Sequence, residues 1–245
     1  VRLSYEDVAP NIQSSPNDEP ITLLGSKGGA YPLKELFSTP TQSFDILSGK
    51  EVRVPITVRI PSDAEAGGRY GSVVLTFTPI TTPGVVENTN ISVQSRLATL
   101  FYVRVKGDTK EEGKLVAFGL YNNAKTTAVP SADAPLQFQV AYENTGSVHV
   151  NPYGRLTLRP IIGSTKTFII DPLAVLPSET RMREVAIRDA LPIGYYTAHL
   201  ELNRGYNDVI DEREVQFWVI PGTQGKLLVA IGFLFFIWII RRSLK

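Results

Sequence analysis

The sequence predicts an all-β protein built from two tandem immunoglobulin-like β-sandwiches, followed by one C-terminal transmembrane α-helix. Three observations lead to this prediction. Short runs of alternating apolar and polar residues are separated by Pro, Gly, Asn and Asp. A corner motif occurs twice, and an uncharged apolar run lies near the end of the chain. With 245 residues, the chain has room for two domains of about 110 residues each.

The predicted strands are recognised by their alternation, which is clearest in Val52–Ile60, Leu136–Tyr142 and Tyr196–Leu202. Successive side chains of a strand point to opposite faces, so each segment can present one apolar face to a core. Shorter runs at Leu115–Tyr121 and Arg155–Leu158 show the same pattern. A short helix is predicted at 32–37.

The corner motif indicates that the two sandwiches are related copies. Residues 63–70 read DAEAGGRY and residues 189–196 read DALPIGYY. Gly68 follows Asp63 by five positions, and Gly194 follows Asp189 by five positions. Such a motif is typical of a tight turn, in which Asp accepts local amide bonds and Tyr begins the next strand. Each copy ends with a similar last strand, at 101–103 (FYV) and 217–219 (FWV).

These patterns place the first sandwich at residues 1–108, a linker at 109–113 and the second sandwich at 114–221. The linker is predicted from charged, glycine-flanked sequence. The first sandwich is expected to lack one or more N-terminal strands, because residues 10–30 are mostly loop-like. A missing strand would leave an exposed sheet edge, and such edges invite pairing with another chain.

The apolar run covers residues 227–240 (LLVAIGFLFFIWII) and contains no charged residue. Its fourteen residues make about 21 Å of helix, and a start near Thr223 adds the length that a bilayer of roughly 30 Å requires. We therefore predict a transmembrane helix at 223–240 and a basic cytoplasmic tail at 241–245. The membrane-anchoring residues are predicted to be Lys226, Trp238, Arg241 and Arg242.

Basic residues after a span favour a cytoplasmic C-terminus, so both sandwiches are expected outside the cell, on a single-pass membrane protein. Two alternatives stay open. The tail could pack against a partner protein. It could also belong to a sortase-type signal, although residues 220–224 (IPGTQ) lack the leucine and the glycine of that motif.

Composition excludes several classes of function. The chain has no cysteine, which rules out disulfides, thiolate zinc sites, iron–sulfur clusters and cysteine nucleophiles. Of its 25 basic residues, four follow Gly225, whereas none of its 24 acidic residues does. The preceding body is therefore mildly acidic and has no basic patch, which argues against nucleic acid as a partner.

The candidate binding residues are Gly67, Gly68, Arg69, Tyr70 and Gly71. Consecutive glycines let a backbone approach a ligand closely, while the arginine and the tyrosine could offer charged hydrogen bonds and a stacking face to a glycan. The competing interpretation, a turn in which Tyr70 belongs to the core, is favoured because the second copy repeats the motif.

No catalytic residue, metal ligand or cofactor is predicted. His149 and His199 each alternate with apolar neighbours, so each is expected to face away from the core of its sandwich. The acidic segment 207–214 could offer oxygen ligands to Ca²⁺, but it lacks the spacing of a known calcium loop and is better interpreted as a solvated hairpin.

Four segments together resemble the WxL-interacting protein family. They are Leu47–Val74, Ala98–Asp108, Tyr142–Gly154 and Phe217–Gly222. The resemblance implies a peptidoglycan-binding sandwich, a second sandwich that binds a partner protein, and a C-terminal transmembrane helix. It implies a wall-associated bacterial protein that displays or tethers other surface proteins.

The expected function is therefore that of a non-catalytic, membrane-anchored bacterial surface protein. It would bind cell-wall polymer such as peptidoglycan, tether a partner surface protein, or do both. The alternatives are a structural envelope or pilus-like component that assembles through sheet edges, and an accessory subunit of a membrane complex.

Overall fold

A computed structural model describes residues 1–11, 21–78, 94–122, 125–132, 136–189, 191–222, 237–240 and 242. In these residues the chain is built from β-strands, which confirms the predicted all-β class. Contacts within the chain define two compact units. Unit 1 comprises Val1–Glu111 and Gly146–His149, and unit 2 comprises Glu112–Thr145 and Val150–Lys245.

Unit 1 is organised around one four-stranded antiparallel sheet. Its strands, with two short ones that pair separately, are β1 (Arg2–Pro10), β2 (Ile21–Leu23), β3 (Phe37–Ser38), β4 (Thr57–Val58), β5 (Gly67–Phe77) and β6 (Ser95–Val105). The order in the sheet is β2-β1-β5-β6, and β3 pairs with β4. A 3-10 helix at Lys34–Leu36 lies within the segment predicted to be helical. The buried core includes Leu3, Leu33, Phe37 and Val73.

Unit 2 contains two four-stranded sheets. Its strands are β7 (Gly113–Asn122), β8 (Lys125–Thr126), β9 (Leu136–Asn144), β10 (Tyr153–Pro160), β11 (Lys166–Ile170), β12 (Thr180–Ile187), β13 (Gly194–Asn203) and β14 (Ile210–Val219). The orders are β11-β10-β13-β14 and β12-β9-β7-β8. Residues of both sheets form one core, in which the rings of Phe138 and Phe217 lie 5.8 Å apart between centroids. This arrangement is compatible with a β-sandwich.

The strand predicted at Val52–Ile60 is mostly wrong, although its alternation is correct. The side chains of Val54, Ile56, Val58 and Ile60 pack against the core of unit 1, but only Thr57 and Val58 form a ladder. The segment contains Pro55, which has no N–H to donate to a sheet. Side-chain periodicity is thus set by burial here, while most of the backbone lies outside a sheet.

The predicted transmembrane helix falls largely outside the described residues. Positions 223–236, 241 and 243–245 are not among them, so Lys226 and Arg241 lie outside as well. Residues 237–240 are helical, and the guanidinium carbon of Arg242 lies 5.3 Å from the ring centroid of Trp238. Within the described part of the chain, no helix is long and apolar enough to cross a bilayer.

Candidate functional site

The five predicted binding residues form the start of β5, and Tyr70 among them is fully buried at 0% exposure. Ring centroids of Tyr31, Tyr102 and His149 lie 5.8, 5.7 and 5.7 Å from that of Tyr70. The Tyr70 hydroxyl accepts a hydrogen bond of 2.7 Å from the backbone N–H of His149. The ring is therefore enclosed by unit 1 and cannot stack on a glycan, so the core interpretation of Tyr70 applies.

The neighbouring glycines are explained by the packing of this ring. A Cβ at Gly68 would lie 1.9 Å from the Tyr70 hydroxyl oxygen, and a Cβ at Gly71 would lie 3.0 Å from the Cβ of Leu33. Gly67 has a φ of +141°, a conformation that side chains rarely adopt. Gly68 and Gly71 make room for the buried tyrosine and for the residues that flank the 3-10 helix, and Gly67 is explained by its backbone conformation, so no ligand is needed to account for them.

Arg69 is the member of the segment whose side chain is partly exposed, and its guanidinium group serves local carbonyl groups. One terminal nitrogen donates to the backbone oxygen of Gly68 at 3.3 Å, and the other to that of Glu65 at 3.5 Å. Any binding at this segment would thus depend on Arg69 alone.

The second copy of the corner motif has the same structural role in unit 2. Tyr196 is 4% exposed, its hydroxyl donates to the carbonyl oxygen of Pro192 at 2.9 Å, and its ring stacks on Phe217 at 5.4 Å. Tyr70 pairs with Tyr102 in the same way that Tyr196 pairs with Phe217. The two copies therefore have equivalent strand pairing. The residue that corresponds to Phe217 is Tyr102, whereas the alignment of FYV with FWV placed it at Phe101.

His149 alternates with the buried Val148 and Val150, as the sequence predicts, but its ring packs within unit 1 and does not face solvent. Its ring contacts Tyr70 and Tyr102, the latter at 5.5 Å between centroids. Burial lowers the pKa of His149 from its ordinary value of 6.5; the charge of Arg104 lowers it further, and that of Glu111 acts in the opposite direction.

Unit 1 is expected to lose stability as the pH falls below 6.5, because the native pKa of His149 lies below that value. As the pH falls, the unfolded chain takes up the proton before the native chain does. The contribution of neutral His149 to the free energy of unfolding is therefore intact above the pKa of the unfolded chain, and it is lost as the pH falls from that value through the native pKa. Backbone hydrogen exchange of β5, corrected for its intrinsic pH dependence, measures the effect. His149→Gln should flatten the profile and His199→Gln should leave it unchanged; identical profiles for both would contradict this explanation.

The most exposed strand of unit 1 is β6, at the edge of the four-stranded sheet. All six residues of its first half, 95–100, are exposed, although they alternate between the two faces of the sheet. Leu97 is 57% exposed and Leu100 is 39% exposed. One side of β6 pairs with β5 over eleven continuous positions, and no described strand pairs with its outer side. This edge was not predicted, although the run SRLATLF does contain apolar residues of both faces without Pro or Lys.

Edge strands are usually protected by charges, prolines or bulges, and β6 has neither a proline nor a bulge. It also contains no lysine. Its two arginines are held by carboxylates: Arg96 bonds Glu6, and Arg104 bonds Glu111 at 2.5 Å. The positive charges are therefore compensated, and no strand in the described part of the chain pairs with the outer edge of β6.

A cleft of about 620 Å³ lies at the end of the same sheet where β6 begins. Arg2 and Thr76, which are paired across β1 and β5, contribute to its wall. Ser43, Phe44, Asp45 and Gln94 complete much of the lining. Hydroxyl, amide and charged groups beside one aromatic ring are the kinds of groups that polar ligands use.

The acidic surface of unit 2 is an ion-pair network. One ligand atom each of His199, Glu201 and Glu212 lies within 4.8 Å of the others. However, Arg155 binds the carboxylate of Glu201 with two nitrogens, and His199 contacts Glu214 at 3.0 Å. The hydrogen bond from Arg155 lowers the pKa of Glu201. Within the predicted acidic hairpin, Asp211 is bound by Arg204 through bonds of 2.9 and 2.8 Å.

Comparison with known proteins gives little similarity. The sequence matches no protein-family model, and a search of curated proteins finds no match. Three crystal structures of β-glucosidase from Listeria innocua, one in complex with glucose and one with gluconolactone, align at 12–13% identity and TM-scores of 0.29–0.30. The aligned parts cover 47–57% of this chain and 17–21% of the enzyme chains, so this chain corresponds to about a fifth of the enzyme's length. No functional argument follows from so low a similarity.

Proposed function

We propose that the protein is a non-catalytic, membrane-anchored bacterial surface adaptor, and that unit 1 tethers a partner protein by pairing with one of its strands along β6. The observation that carries this proposal is the first half of β6, which is exposed on both faces and has no described strand on its outer side. The apolar run at 227–240 and the basic residues after it support the membrane anchor. The resemblance to WxL-interacting proteins supports a tethering role.

Strand addition suits the chemistry of this edge. Outward-facing N–H and C=O groups of β6 would supply backbone hydrogen bonds to an added strand, which gives affinity. Leu97 and Leu100 are three residues apart and so lie on opposite faces of the strand. An added strand would therefore have an apolar neighbour from β6 on each of its two faces. We infer an occupant with an extended segment that carries apolar residues on both faces.

A photo-crosslinking residue at Ala98 tests this proposal. The full chain with this substitution is produced in the bacterium that makes it, and the matched control carries the same residue at Ile169. Both positions are exposed on edge strands, but Ile169 belongs to β11 of unit 2. We expect irradiation to yield one discrete adduct from Ala98 and none from Ile169, and hydrogen exchange of the purified complex to show protection in β6.

The nature of the adduct separates the proposal from its alternative. An adduct with a different surface protein, with protection in β6, supports the adaptor. An adduct with a second copy of this chain overturns it in favour of a component that assembles through its sheet edges. Absence of any adduct at Ala98 would also overturn strand capture. If isolated peptidoglycan then protects only Arg2, Asp45 and their neighbours, polymer binding in the cleft is favoured instead.

A further inference from the structure

Three isoleucines project into solvent from adjacent loops of unit 2. Ile161 and Ile162, in the turn between β10 and β11, are 72% and 90% exposed, and Ile193, just before β13, is 63% exposed. Isoleucine is among the residues most often found fully buried in proteins. Here three of them are exposed together, in loops instead of on a sheet face. They form an apolar patch, and exposed patches of this kind mark sites that bind an apolar surface.

Hydrogen bonds and pairing place these loops at one end of the unit. The backbone N–H of Ile161 donates to the carbonyl oxygen of Tyr195 at 3.1 Å, which joins the turn to the start of β13. Lys166 and Asp189, from the flanks of the two loops, form an ion pair of 3.1 Å. The first residue of β13, Gly194, pairs with Val219, the last residue of β14. The isoleucine loops therefore surround the point where the last strand of unit 2 ends.

Chain length limits how far this end can be from the apolar run. Gly222 follows the last strand by three residues, and the run begins at Leu227. The five intervening Cα steps span at most about 18 Å when fully extended. If the run enters a bilayer, as the proposed anchor requires, Gly222 must stay within that distance of the lipid, and the end of β14 lies only three residues before Gly222.

The other groups at this end suit a lipid interface. Trp218 is 55% exposed and its ring lies 5.1 Å from that of Tyr195, and tryptophan and tyrosine are enriched where protein meets headgroups. Along residues 159–166 and 188–193, the charged residues are Arg159, Lys166, Arg188 and Asp189, an excess of two positive charges. Such an excess favours a surface that carries anionic lipids.

We propose that the patch formed by Ile161, Ile162 and Ile193 inserts into the surface of an anionic bilayer and holds the C-terminal end of unit 2 against it. This inference rests on the proposed membrane anchor. The tail alone would tether unit 2 without fixing its orientation, whereas inserted loops on two connections restrict its tilt. The expected depth is that of an interfacial apolar face, about 5–10 Å into the headgroup and acyl boundary.

The absence of cysteine permits a direct test. The full chain carrying Ile162→Cys or Ile193→Cys is labelled with an environment-sensitive fluorophore and reconstituted into vesicles of phosphatidylcholine and phosphatidylglycerol. The matched control is Val209→Cys, which is 36% exposed in the hairpin at the other end of β13 and β14. We expect the labels at 162 and 193 to emit at shorter wavelength and to be quenched about twofold or more by lipids brominated near the headgroup, in keeping with interfacial insertion. The label at 209 should behave as in water.

Flotation of the vesicles distinguishes failure of this inference from failure of the anchor. If the chain floats with the vesicles but the labels at 162 and 193 are quenched no more than the label at 209, the loops do not insert and the inference is overturned while the anchor stands. If the chain does not float, both the anchor and the inference are overturned. Replacement of phosphatidylglycerol by phosphatidylcholine should weaken quenching at 162, and equal quenching in both would contradict the role of the basic residues.

Discussion

Replacement of Asp7 by alanine is expected to lower the free energy of unfolding of unit 1 by about 4 kcal/mol. A buried donor left without an acceptor costs about 1–3 kcal/mol, and here one buried and two partly buried donors lose their acceptor. Asp7 lies on β1 and is 0% exposed. Its carboxylate accepts hydrogen bonds from the backbone N–H groups of Leu33 at 2.8 Å, Lys34 at 2.9 Å and Gly29 at 3.1 Å. Alanine would leave all three donors unpaired.

The effect should be confined to one unit, which provides an internal control. Hydrogen exchange, resolved by peptide, should accelerate in β1 and β5 and stay unchanged in β13 of unit 2. Asp63→Ala, at an exposed position of the same unit, should change stability by no more than about 0.5 kcal/mol. Asp7→Asn should lower stability by less than Asp7→Ala. The asparagine side chain keeps one of the two acceptor oxygens, but its NH₂ group would face a backbone N–H donor. If exchange in β1 of Asp7→Ala matches that of Asp63→Ala, the carboxylate does not hold the loop.

The role of Asp7 could not be predicted from sequence, because its partners are backbone groups 22 to 27 positions away. The run RLSYEDVAP forms β1. It gives no sign that Glu6 and Asp7 are both buried and hold the segment at 25–34 through backbone N–H groups. Buried carboxylates depend on what folds over them, and that information lies in the tertiary structure.

Patterns set by local burial were predicted well. Leu136–Tyr142 and Tyr196–Leu202 lie inside β9 and β13, since both strands have an apolar face in one core. The repeated corner correctly indicated that Tyr70 is a core residue, since Tyr70 and its counterpart Tyr196 are both buried. A glycan-binding role for Tyr70 could not be rejected from sequence, since exposure is a property of the packed unit.

The order of the strands in the sheet could not be predicted from the alternation of apolar and polar residues. The sequence predicts an exposed edge on the first sandwich from a missing N-terminal strand. In the structure β1 lies between β2 and β5 in the sheet order, and β6 is an edge strand whose outer side no described strand pairs. Alternation identifies which residues share a face, but the neighbours of a strand depend on how the chain crosses the sheet.

The double substitution of Leu97 and Leu100 by lysine is expected to weaken partner binding along β6 by at least about 100-fold, or roughly 3 kcal/mol. Binding would bury both side chains, so each lysine would either carry an unpaired charge into the interface or prevent the strand from docking. In the free protein both positions are exposed, so the free energy of unfolding should change by no more than about 0.5 kcal/mol. A large loss of affinity without a loss of stability would show that Leu97 and Leu100 act in partner binding and not in the core of unit 1.

A matched control adds the same two charges elsewhere. Ile169 and Ile210 of unit 2 are 72% and 54% exposed, and their double replacement by lysine should leave binding within about twofold, because neither lies on β6. Affinity is measured by titration of the full chain with the partner recovered by crosslinking at Ala98. Equal losses in both double variants would indicate a nonspecific effect of added positive charge. Unchanged affinity in the β6 variant would show that the partner does not bury this edge, because two lysines cannot be enclosed by an added strand without a measurable cost.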